Sequence, residues 1–530
     1  MSDQQQPETA SNTPQPPPQP PRAKNRSRYI MINTLSSYGR DVVDTITFLI
    51  LIPFIIKTLG TETFGLWSLI WSFLAFFELA DMGFGASVVK YVADARGRQD
   101  IERQQAIICT LFWLYVALGA IVMGAVAISL LFFNQVFEIP ADQAESARVV
   151  LLIIGARSAL YMPLGMFRGV LVGLQKMKVA NGYKVIGGLA YFVSVLIVLS
   201  RIPDLRVLAG INALLGVLPM FAMMVHVKAI SPDLSLRPKH FDRSLVRELS
   251  SFSLYFSLIQ VAGLIATRVD AIVVKLFLPL QMVAIYSIGI RLSGKADQFC
   301  YHLIKALTPV VAELHGADEQ QNIRAVWYRG SKLTTAFATP LLLGLALLAE
   351  PLISAWIGPE FKTSVPVCQW LVAAVMISTI HGNTENILSM GGHQKFLAFS
   401  ILGCQVLNLG LSFFLIQLYG IMGVAMATFM AYVPIYVGLI QTRAGRVHER
   451  SHWDFYKRTV FPCIIPALLM AAFLVGVQRY RPVTNLVEVA ILEILGSLVF
   501  AGAFWLIGFS GKERAYFKEK ILKRIFRRKR

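Results

Sequence analysis

Charged residues and cysteines are scarce in this chain of 530 residues. Only 15% of the residues are charged and 55% are hydrophobic, whereas a soluble domain carries about 25% charged residues. That scarcity excludes one large soluble core and indicates a polytopic, all-α membrane protein. The five cysteines are scattered and lie in or beside apolar runs, so we interpret them as buried apolar side chains and predict no disulfide framework and no metal site.

We predict neither a cleavable signal peptide nor a soluble segment long enough to hold a catalytic site. Residues 1–21 are rich in Gln and Pro and contain no apolar core, so we interpret residues 1–28 as a disordered cytoplasmic tail. The longest predicted external connection lies near residues 350–362. A membrane glycosyltransferase or ligase would need a sizeable external loop with catalytic groups, so the sequence disfavours that alternative and predicts no enzyme.

Long apolar runs are abundant. A spanning helix needs about 20 mainly apolar residues, and fourteen runs qualify, with approximate cores at 30–57, 62–89, 104–133, 146–173, 177–200, 207–227, 248–278, 281–311, 324–349, 363–390, 396–417, 419–442, 459–477 and 484–508. With the N terminus inside, the cytoplasmic loops hold 34 Lys and Arg residues and the external loops hold six. This bias predicts that both ends are cytoplasmic. It also accounts for the net charge of +19 without a nucleic-acid partner.

Two regions of the sequence repeat at a constant offset of 219 residues. Gly173, Gln175 and Lys176 recur as Gly392, Gln394 and Lys395, while Trp67, Glu78 and Asp94 align with Tyr286, Asp297 and Glu313. The shared register predicts two six-helix bundles related by a pseudo-two-fold axis along the membrane normal, followed by two extra C-terminal helices. Paired bundles of this kind place a substrate cavity between them.

These patterns predict seven segments. They are the tail (1–28), an N-terminal six-helix bundle (29–230), a cytoplasmic linker (231–247), a C-terminal six-helix bundle (248–442), a cytoplasmic loop (443–458), spans 13 and 14 (459–508) and a basic amphipathic cytoplasmic tail (509–530).

Charged residues lie inside the apolar runs, where each would cost about 2.5–3.5 kcal/mol at the bilayer centre if it faced lipid. We therefore expect them to face a wet cavity, one another or a ligand. Guanidinium groups suit phosphate through their planar fork. The predicted anion-binding residues are Arg40, Arg157, Arg268, Arg291 and Lys295, and the acidic residues that orient them or carry a coupling proton or sodium ion are Asp41, Asp44, Glu78, Asp81, Asp270 and Asp297.

Some of these charges also have a structural interpretation. Glu78 and Asp81 could hold a helix end or pair with a basic residue such as Lys90. Arg157 and Arg168 are eleven residues apart, so they are predicted to line one helix stripe with Tyr161 between them. Arg168 could instead extend to the membrane interface.

Several motifs resemble a known family. Leu59-Gly60, Phe64-Gly65, Trp67, Asp81-Met82-Gly83 and Gly85-Ala86, together with residues 269–292 and 420–432, are similar to the polysaccharide-exporter (O-antigen flippase) family. That family belongs to the multidrug/oligosaccharidyl-lipid/polysaccharide (MOP) flippase superfamily. Arg40-Asp41 and the extra helix pair resemble features of the lipid II flippase branch. The resemblance implies a bacterial inner-membrane flippase for a polyprenyl-diphosphate-linked oligosaccharide.

Other transporters have the fold that the resemblance implies, and the sequence also predicts binding partners. A drug or metabolite exporter of the same fold, coupled to cations as in the MATE family, should have a net acidic cavity, and the excess of arginine disfavours it. The C-terminal residues 512–530 form a basic amphipathic pattern that predicts binding to anionic lipids. A glycan polymerase or glycosyltransferase complex is a further expected partner. No cofactor is expected beyond a coupling Na⁺ or H⁺.

Overall fold

The computed structural model describes residues 43–81, 84–232, 234–249, 263–264, 268–511 and 513–515, except for the side chains of Glu78 and Ala86. Predictions for the N-terminal tail, Arg40, Asp41, the side chain of Glu78 and residues 516–530 therefore lie outside the described residues. Everything described is helix or connection, without a strand in those ranges.

Within the described residues, the first half contains eight α-helices. They are α1 (43–59), α2 (Thr61–Leu74), α3 (Phe84–Gly97), α4 (Ile101–Val136), α5 (Ala141–Gly173), α6 (Met177–Leu199), α7 (Leu205–Ile230) and the short α8 (243–249). A 3₁₀ segment, Ala75–Asp81, continues α2, and another, Pro238–His240, lies in the linker. Asp100 and Asp204 cap α4 and α7, because their carboxylates accept hydrogen bonds from the first-turn amides of Arg103 and Arg206.

The second half contains the remaining helices. They are α9 (Asp270–Phe277), α10 (Leu280–Lys305), α11 (Thr308–Gly316), α12 (Gln320–Leu347), α13 (Ala349–Trp356), α14 (Ser364–Met390), α15 (Gln394–Tyr419), α16 (Ile421–Tyr432), α17 (Gln441–Val447), α18 (His452–Thr459), α19 (Phe461–Tyr480) and α20 (Leu486–Ala503). A 3₁₀ turn at Pro359–Phe361 precedes α14. A π-helical stretch at Val433–Ile440 joins α16 to α17, and another at Phe504–Gly508 ends α20.

The molecule is a multi-pass membrane protein, as predicted. Eleven helical stretches in the described residues are long and apolar enough to cross a bilayer. Their outer faces carry large exposed apolar side chains, including Leu131, Leu214, Phe399 and Leu498, which are 62–75% exposed. Such surfaces suit contact with lipid. All five cysteines are free and buried, so the interpretation of them as buried apolar residues is confirmed.

One predicted span is interrupted. The apolar run at 281–311 is not one helix, because α10 ends at Lys305 and α11 begins at Thr308. Pro309 lies in the first turn of α11, where its missing N–H costs no hydrogen bond. With its internal charges, α10 does not count among the eleven stretches, and the total of fourteen spans stays a prediction.

The offset of 219 residues recurs in the helix bounds. The starts of α2 and α10, the starts of α4 and α12, and the ends of α3 and α11 fall at 61 and 280, 101 and 320, and 97 and 316. Gln99 and Asp318, also 219 apart, have φ angles of 58° and 53°. Packing repeats as well, because α4 contacts α5 and α5 contacts α7, just as α12 contacts α14 and α14 contacts α16. The two halves thus repeat one helical arrangement.

Two equivalent helices, α2 and α10, pack on each other where the halves meet. Their close approach depends on Gly65, since a Cβ atom there would overlap the carbonyl oxygen of Leu280. The additional pair, α19 and α20, packs on α12 of the second half, and α20 also contacts α13. Met470, Leu474, Leu492 and Phe500 are buried in the apolar cluster of this pair.

Candidate functional site

A cavity of about 600 Å³ lies in the first half, between α3, α5 and the end of the α2 segment. Arg157, Tyr161 and Arg168 of α5 all line it, which confirms the predicted stripe. The guanidinium carbon of Arg157 lies 4.9 Å from the centre of the Trp71 ring and 5.9 Å from that of Tyr161. Stacking of this kind stabilises a cation away from bulk water.

Helix α7 supplies the third side of the Arg157 environment. A Cβ atom at Gly216 would lie 2.5 Å from the Nε atom of Arg157, so a larger residue there would force the Arg157 side chain to move. Arg157 is therefore enclosed by side chains or backbone of α2, α5 and α7 while remaining half-buried at the cavity wall.

Asp81 lines the same cavity as Arg157. The Tyr115 hydroxyl donates a hydrogen bond to its Oδ1 atom, and the backbone N–H of Gly85 donates a weak one to Oδ2 at 3.5 Å. Asp81 thus joins the end of the 3₁₀ segment to α4 and to the start of α3. Of the two structural interpretations of Asp81, the contact with Gly85 fits the holding of a helix end, and its side-chain partner is Tyr115 instead of Lys90.

Three of the four predicted arginines are linked through charged and aromatic neighbours on α2 and α6. The phenol of Tyr191 lies within electrostatic range of the guanidinium groups of Arg157 and Arg291. Arg268 in turn lies within range of Arg291, whose guanidinium carbon is 5.7 Å from the Phe64 ring centre. We call Arg157, Arg268 and Arg291 the arginine cluster. Arg40 lies outside the described residues.

Lys295, the remaining predicted cation, lines a different cavity. This apolar groove of about 740 Å³ runs between α1, α10, α12 and α20. The ammonium group of Lys295 lies 5.8 Å from the Phe48 ring centre. Leu49, Phe299 and Leu345 are among the apolar residues of the groove. Lys295 therefore connects α10, which carries Arg291 one turn earlier, to a surface suited to a hydrocarbon chain.

Acidic groups gather in the second half. Asp270 is 3% exposed, and its Oδ2 atom accepts a hydrogen bond of 2.7 Å from the Tyr286 hydroxyl. Asp270, Asp297 and Glu385 all lie within electrostatic range of the Tyr432 phenol. We call these three carboxylates the acidic group. Asp44 lies apart from them, on the exposed side of α1.

Sequence reasoning missed Glu385 and the aromatic residues of the site. Glu385 is a carboxylate within the apolar run 363–390, so the rule that flagged Asp270 would also have identified it. Tyr191 and Trp71 gave no comparable signal, because aromatic residues are common throughout this chain. Among the residues that the structure describes, no group of three or more His, Cys, Asp or Glu side chains is arranged to hold a metal ion.

The cations and the carboxylates form two groups that the halves share unequally. Arg157 and Asp81 line the cavity of the first half, whereas Arg268, Arg291 and the acidic group all belong to the second half. An anionic ligand is favoured by the arginine cluster. A neighbouring positive charge stabilises a buried carboxylate such as those of the acidic group.

Known proteins share both the sequence pattern and the fold. A family model described as "Polysaccharide biosynthesis protein" matches residues 31–315. "Uncharacterized membrane protein EpsK" of Bacillus subtilis is 22% identical over 59% of this chain and 63% of its own length. "Probable low-salt glycan biosynthesis flippase Agl15" of Haloferax volcanii is 23% identical over 48% of this chain and 53% of its own length. The chain thus spans less than two thirds of these two relatives. "Probable flippase AglR" of the same organism is 18% identical over 90% of this chain and 96% of its own length.

Solved structures agree on the architecture. The lipid II flippase MurJ in an inward closed conformation has a TM-score of 0.68 at 14% identity, covering 90% of this chain and 99% of MurJ. An inward-facing multidrug transporter of the MATE family and MOP superfamily has a TM-score of 0.66 at 16% identity, covering 77% of this chain and 96% of the transporter. At these identities the likeness concerns the fold. The family model covers more than half of the chain, so the chain belongs to the polysaccharide biosynthesis protein family and is a multi-pass plasma-membrane protein with the MOP flippase fold.

Proposed function

We propose that the protein is a flippase that moves a polyprenyl-diphosphate-linked oligosaccharide from the cytoplasmic to the outer leaflet by alternating access. The observation that carries this proposal is the arginine cluster, in which Arg157 and Arg291 approach Tyr191 and Arg268 approaches Arg291. Guanidinium groups bind diphosphate through paired, charge-assisted hydrogen bonds. The cavity of about 600 Å³ beside them leaves space for sugars, and no covalent step is needed.

The apolar groove gives the lipid part of the substrate a separate place. It opens beside Lys295 and is lined by leucine, valine and phenylalanine side chains of α10, α12 and α20. A prenyl chain would keep its contact with hydrocarbon while the headgroup enters the cavity. Family membership and the names of Agl15 and AglR support a glycan flippase, and the identity of the glycan and its lipid carrier is part of the proposal.

The acidic group supports coupling to a cation. Asp270 is buried with one hydrogen bond from Tyr286, so its negative charge would be costly without a proton or a cation nearby. We assign coupling to H⁺ or Na⁺ to this group. A cation exporter of the same fold would also use such carboxylates, but it would have no use for three convergent arginines.

Replacement of single arginines tests the proposal. In cells that depend on this protein for surface glycan, Arg157→Ala, Arg268→Ala and Arg291→Ala should each lower surface glycan at least about tenfold, with normal amounts of protein in the membrane. Arg148→Ala is the matched control, because Arg148 lies on the same helix as Arg157 but is exposed outside the cavity. Normal glycan in all three variants would reject the assignment.

A further inference from the structure

A second, strongly basic cavity lies away from the arginine cluster. It has a volume of about 840 Å³ and is formed by the start of α12, by α18 and by the segment that follows α20. One carboxylate, that of Glu513, faces six cationic side chains there: Arg324, Arg329, Lys332, Arg450, Lys457 and Arg458. The predicted orientation places this end of the molecule at the cytoplasmic surface.

Only part of this positive charge is compensated within the protein. Lys332 pairs with Glu513 and Arg458 pairs with Asp454, each at 2.8 Å. Burial alone would raise the pKa of Asp454, but hydrogen bonds from Tyr328 and Arg458 hold that pKa below its ordinary value. Both acids therefore stay ionised in these pairs.

The remaining cations are held less tightly by the described residues. Arg324 reaches Glu449 only at 3.9 Å, and its buried Nε atom has no hydrogen-bond partner among the described residues. Arg329, Arg450 and Lys457 are exposed and form no ion pair within the part of the chain that the structure describes. The cavity thus has a net positive charge that an anion can neutralise.

The cavity also borders the lipid-facing surface. Pro462, Ile507 and Phe509 form part of its wall, and Ile507 is 51% exposed. Next to it, Trp453 and Phe461 meet edge to face with ring centres 5.2 Å apart. Exposed aromatic pairs of this kind are typical of the membrane–water interface. A ligand in this cavity would have a charged end among arginines and an apolar end against the bilayer.

The C-terminal tail is a poor occupant for this cavity. Residues 516–530 contain eight Lys and Arg residues and one Glu, so like charges would repel the segment from the six cations. An external anion would complement the excess of positive charge.

We propose that this cavity binds the phosphate headgroup of an anionic phospholipid of the cytoplasmic leaflet. Basic pockets beside membrane helices suit such headgroups. The acyl chains would lie along Phe461 and Ile507, and the bound lipid would link α12 to α18 and α19. The site is separate from the arginine cluster and does not depend on the transported substrate.

Lipid retention by the purified full-length protein tests the proposal. Native mass spectrometry from mixed micelles of phosphatidylglycerol and phosphatidylcholine measures how many phosphatidylglycerol molecules stay bound. We compare the wild type with a cavity variant (Arg329→Gln, Arg450→Gln and Lys457→Gln) and a control variant (Lys228→Gln, Lys239→Gln and Arg243→Gln). Both variants remove three exposed cations, and size-exclusion chromatography verifies that each is folded.

The cavity variant should bind phosphatidylglycerol at least about tenfold more weakly than the wild type, whereas the control variant should stay within about twofold. An equal loss of phosphatidylglycerol binding in both variants, or no loss in either, would overturn the proposed lipid site. A second arm adds inorganic phosphate or glycerol phosphate as soluble competitors. We expect them to leave phosphatidylglycerol bound, and displacement at equal concentration would show that the cavity takes a soluble phosphate and would overturn the lipid assignment.

Discussion

At the scale of single residues, Arg157 illustrates how this protein keeps a cation within a membrane. The centre of the Trp71 ring lies 4.9 Å from the guanidinium carbon, and Gly216 keeps the space beside the guanidinium open. Stacking holds the plane of the guanidinium, whose planar fork suits a phosphate group. A lysine at this position would keep the charge but lose both the stacking and the planar fork.

Asp270 gives a test of coupling at the same scale. Asp270→Asn keeps the size of the side chain and an oxygen for the Tyr286 hydroxyl, but it can neither release a proton nor attract a cation by charge. We expect substrate transport to lose its dependence on an imposed proton or sodium gradient, while the amount of folded protein stays normal. Transport into proteoliposomes with and without each gradient measures this.

Glu145→Gln is the matched control for Asp270→Asn, because Glu145 is exposed in the first turns of α5. It should retain the gradient dependence of the wild type. Undiminished gradient dependence in Asp270→Asn would contradict the role of the acidic group.

Sequence reasoning found the charged part of the site better than its surroundings. A charge in an apolar run is conspicuous because its burial is costly, and this signal led to Arg157, Arg268, Arg291, Asp81 and Asp270. It did not reveal Tyr191 or Trp71. An aromatic residue can make favourable apolar contacts at almost any position of a membrane helix, so its presence in the sequence does not mark a site. It also could not separate Lys295 from Arg291, because only the packing of α1 and α20 turns Lys295 toward the apolar groove.

At the scale of helices, the repeat could be recognised in the sequence because the two halves keep the same spacing between helices as well as some matching residues. The 219-residue offset predicted from a few matched side chains recurs in the starts of α2 and α10 and of α4 and α12. The interruption between α10 and α11 was harder to predict. Apolar residues continue across Ala306 and Leu307, so hydropathy alone joins two helices that the backbone separates.

The crossing of α2 and α10 depends on a single small residue. Gly65→Ala places a methyl group against the carbonyl oxygen of Leu280, so we expect a loss of stability of about 1–3 kcal/mol from overpacking. The control is Gly124→Ala, because a Cβ at Gly124 meets no atom within 4 Å. Thermal melting in detergent should show a clear decrease for Gly65→Ala and little change for Gly124→Ala. Equal melting temperatures for the two variants would contradict the prediction that a methyl group at position 65 disturbs the packing of α2 on α10.

His448, at the end of α17, predicts how stability varies with pH. Burial and the neighbouring Arg324, His315 and His393 lower the pKa of His448 to about 4, from an ordinary value of 6.5. Between these values the unfolded chain binds a proton that the folded protein does not bind. Stability therefore falls as the pH drops through this window, and little is lost above about pH 6.5.

The variant His448→Phe keeps an aromatic ring beside Trp327, whose ring centre lies 5.2 Å from that of His448, and removes the titration. We expect the decrease in melting temperature between pH 7 and pH 5 to be smaller in this variant than in the wild type. His240→Asn, in the linker, serves as the control and should keep the wild-type decrease. The same decrease in His448→Phe would contradict the prediction.

At the scale of the whole molecule, both copies of the helical arrangement contribute to the arginine cluster. The cluster takes Arg157 from the first half and Arg268 and Arg291 from the second half, which also carries the acidic group. The halves meet through α2 and α10, so a rocking motion about this contact would change the access to both sites together. Under the proposed function, such a motion would link the binding of an anionic headgroup to the binding of a cation in one conformational equilibrium.

The most direct test of the account is translocation of a polyprenyl-diphosphate-linked oligosaccharide by purified protein in proteoliposomes. Wild-type protein and Arg148→Ala should move the substrate between leaflets at similar rates, and Arg157→Ala should be at least about tenfold slower. A substrate that lacks the diphosphate should not be moved. Equal rates for Arg157→Ala and wild type, or equal transport of the substrate without diphosphate, would contradict the claim that the arginine cluster binds the headgroup.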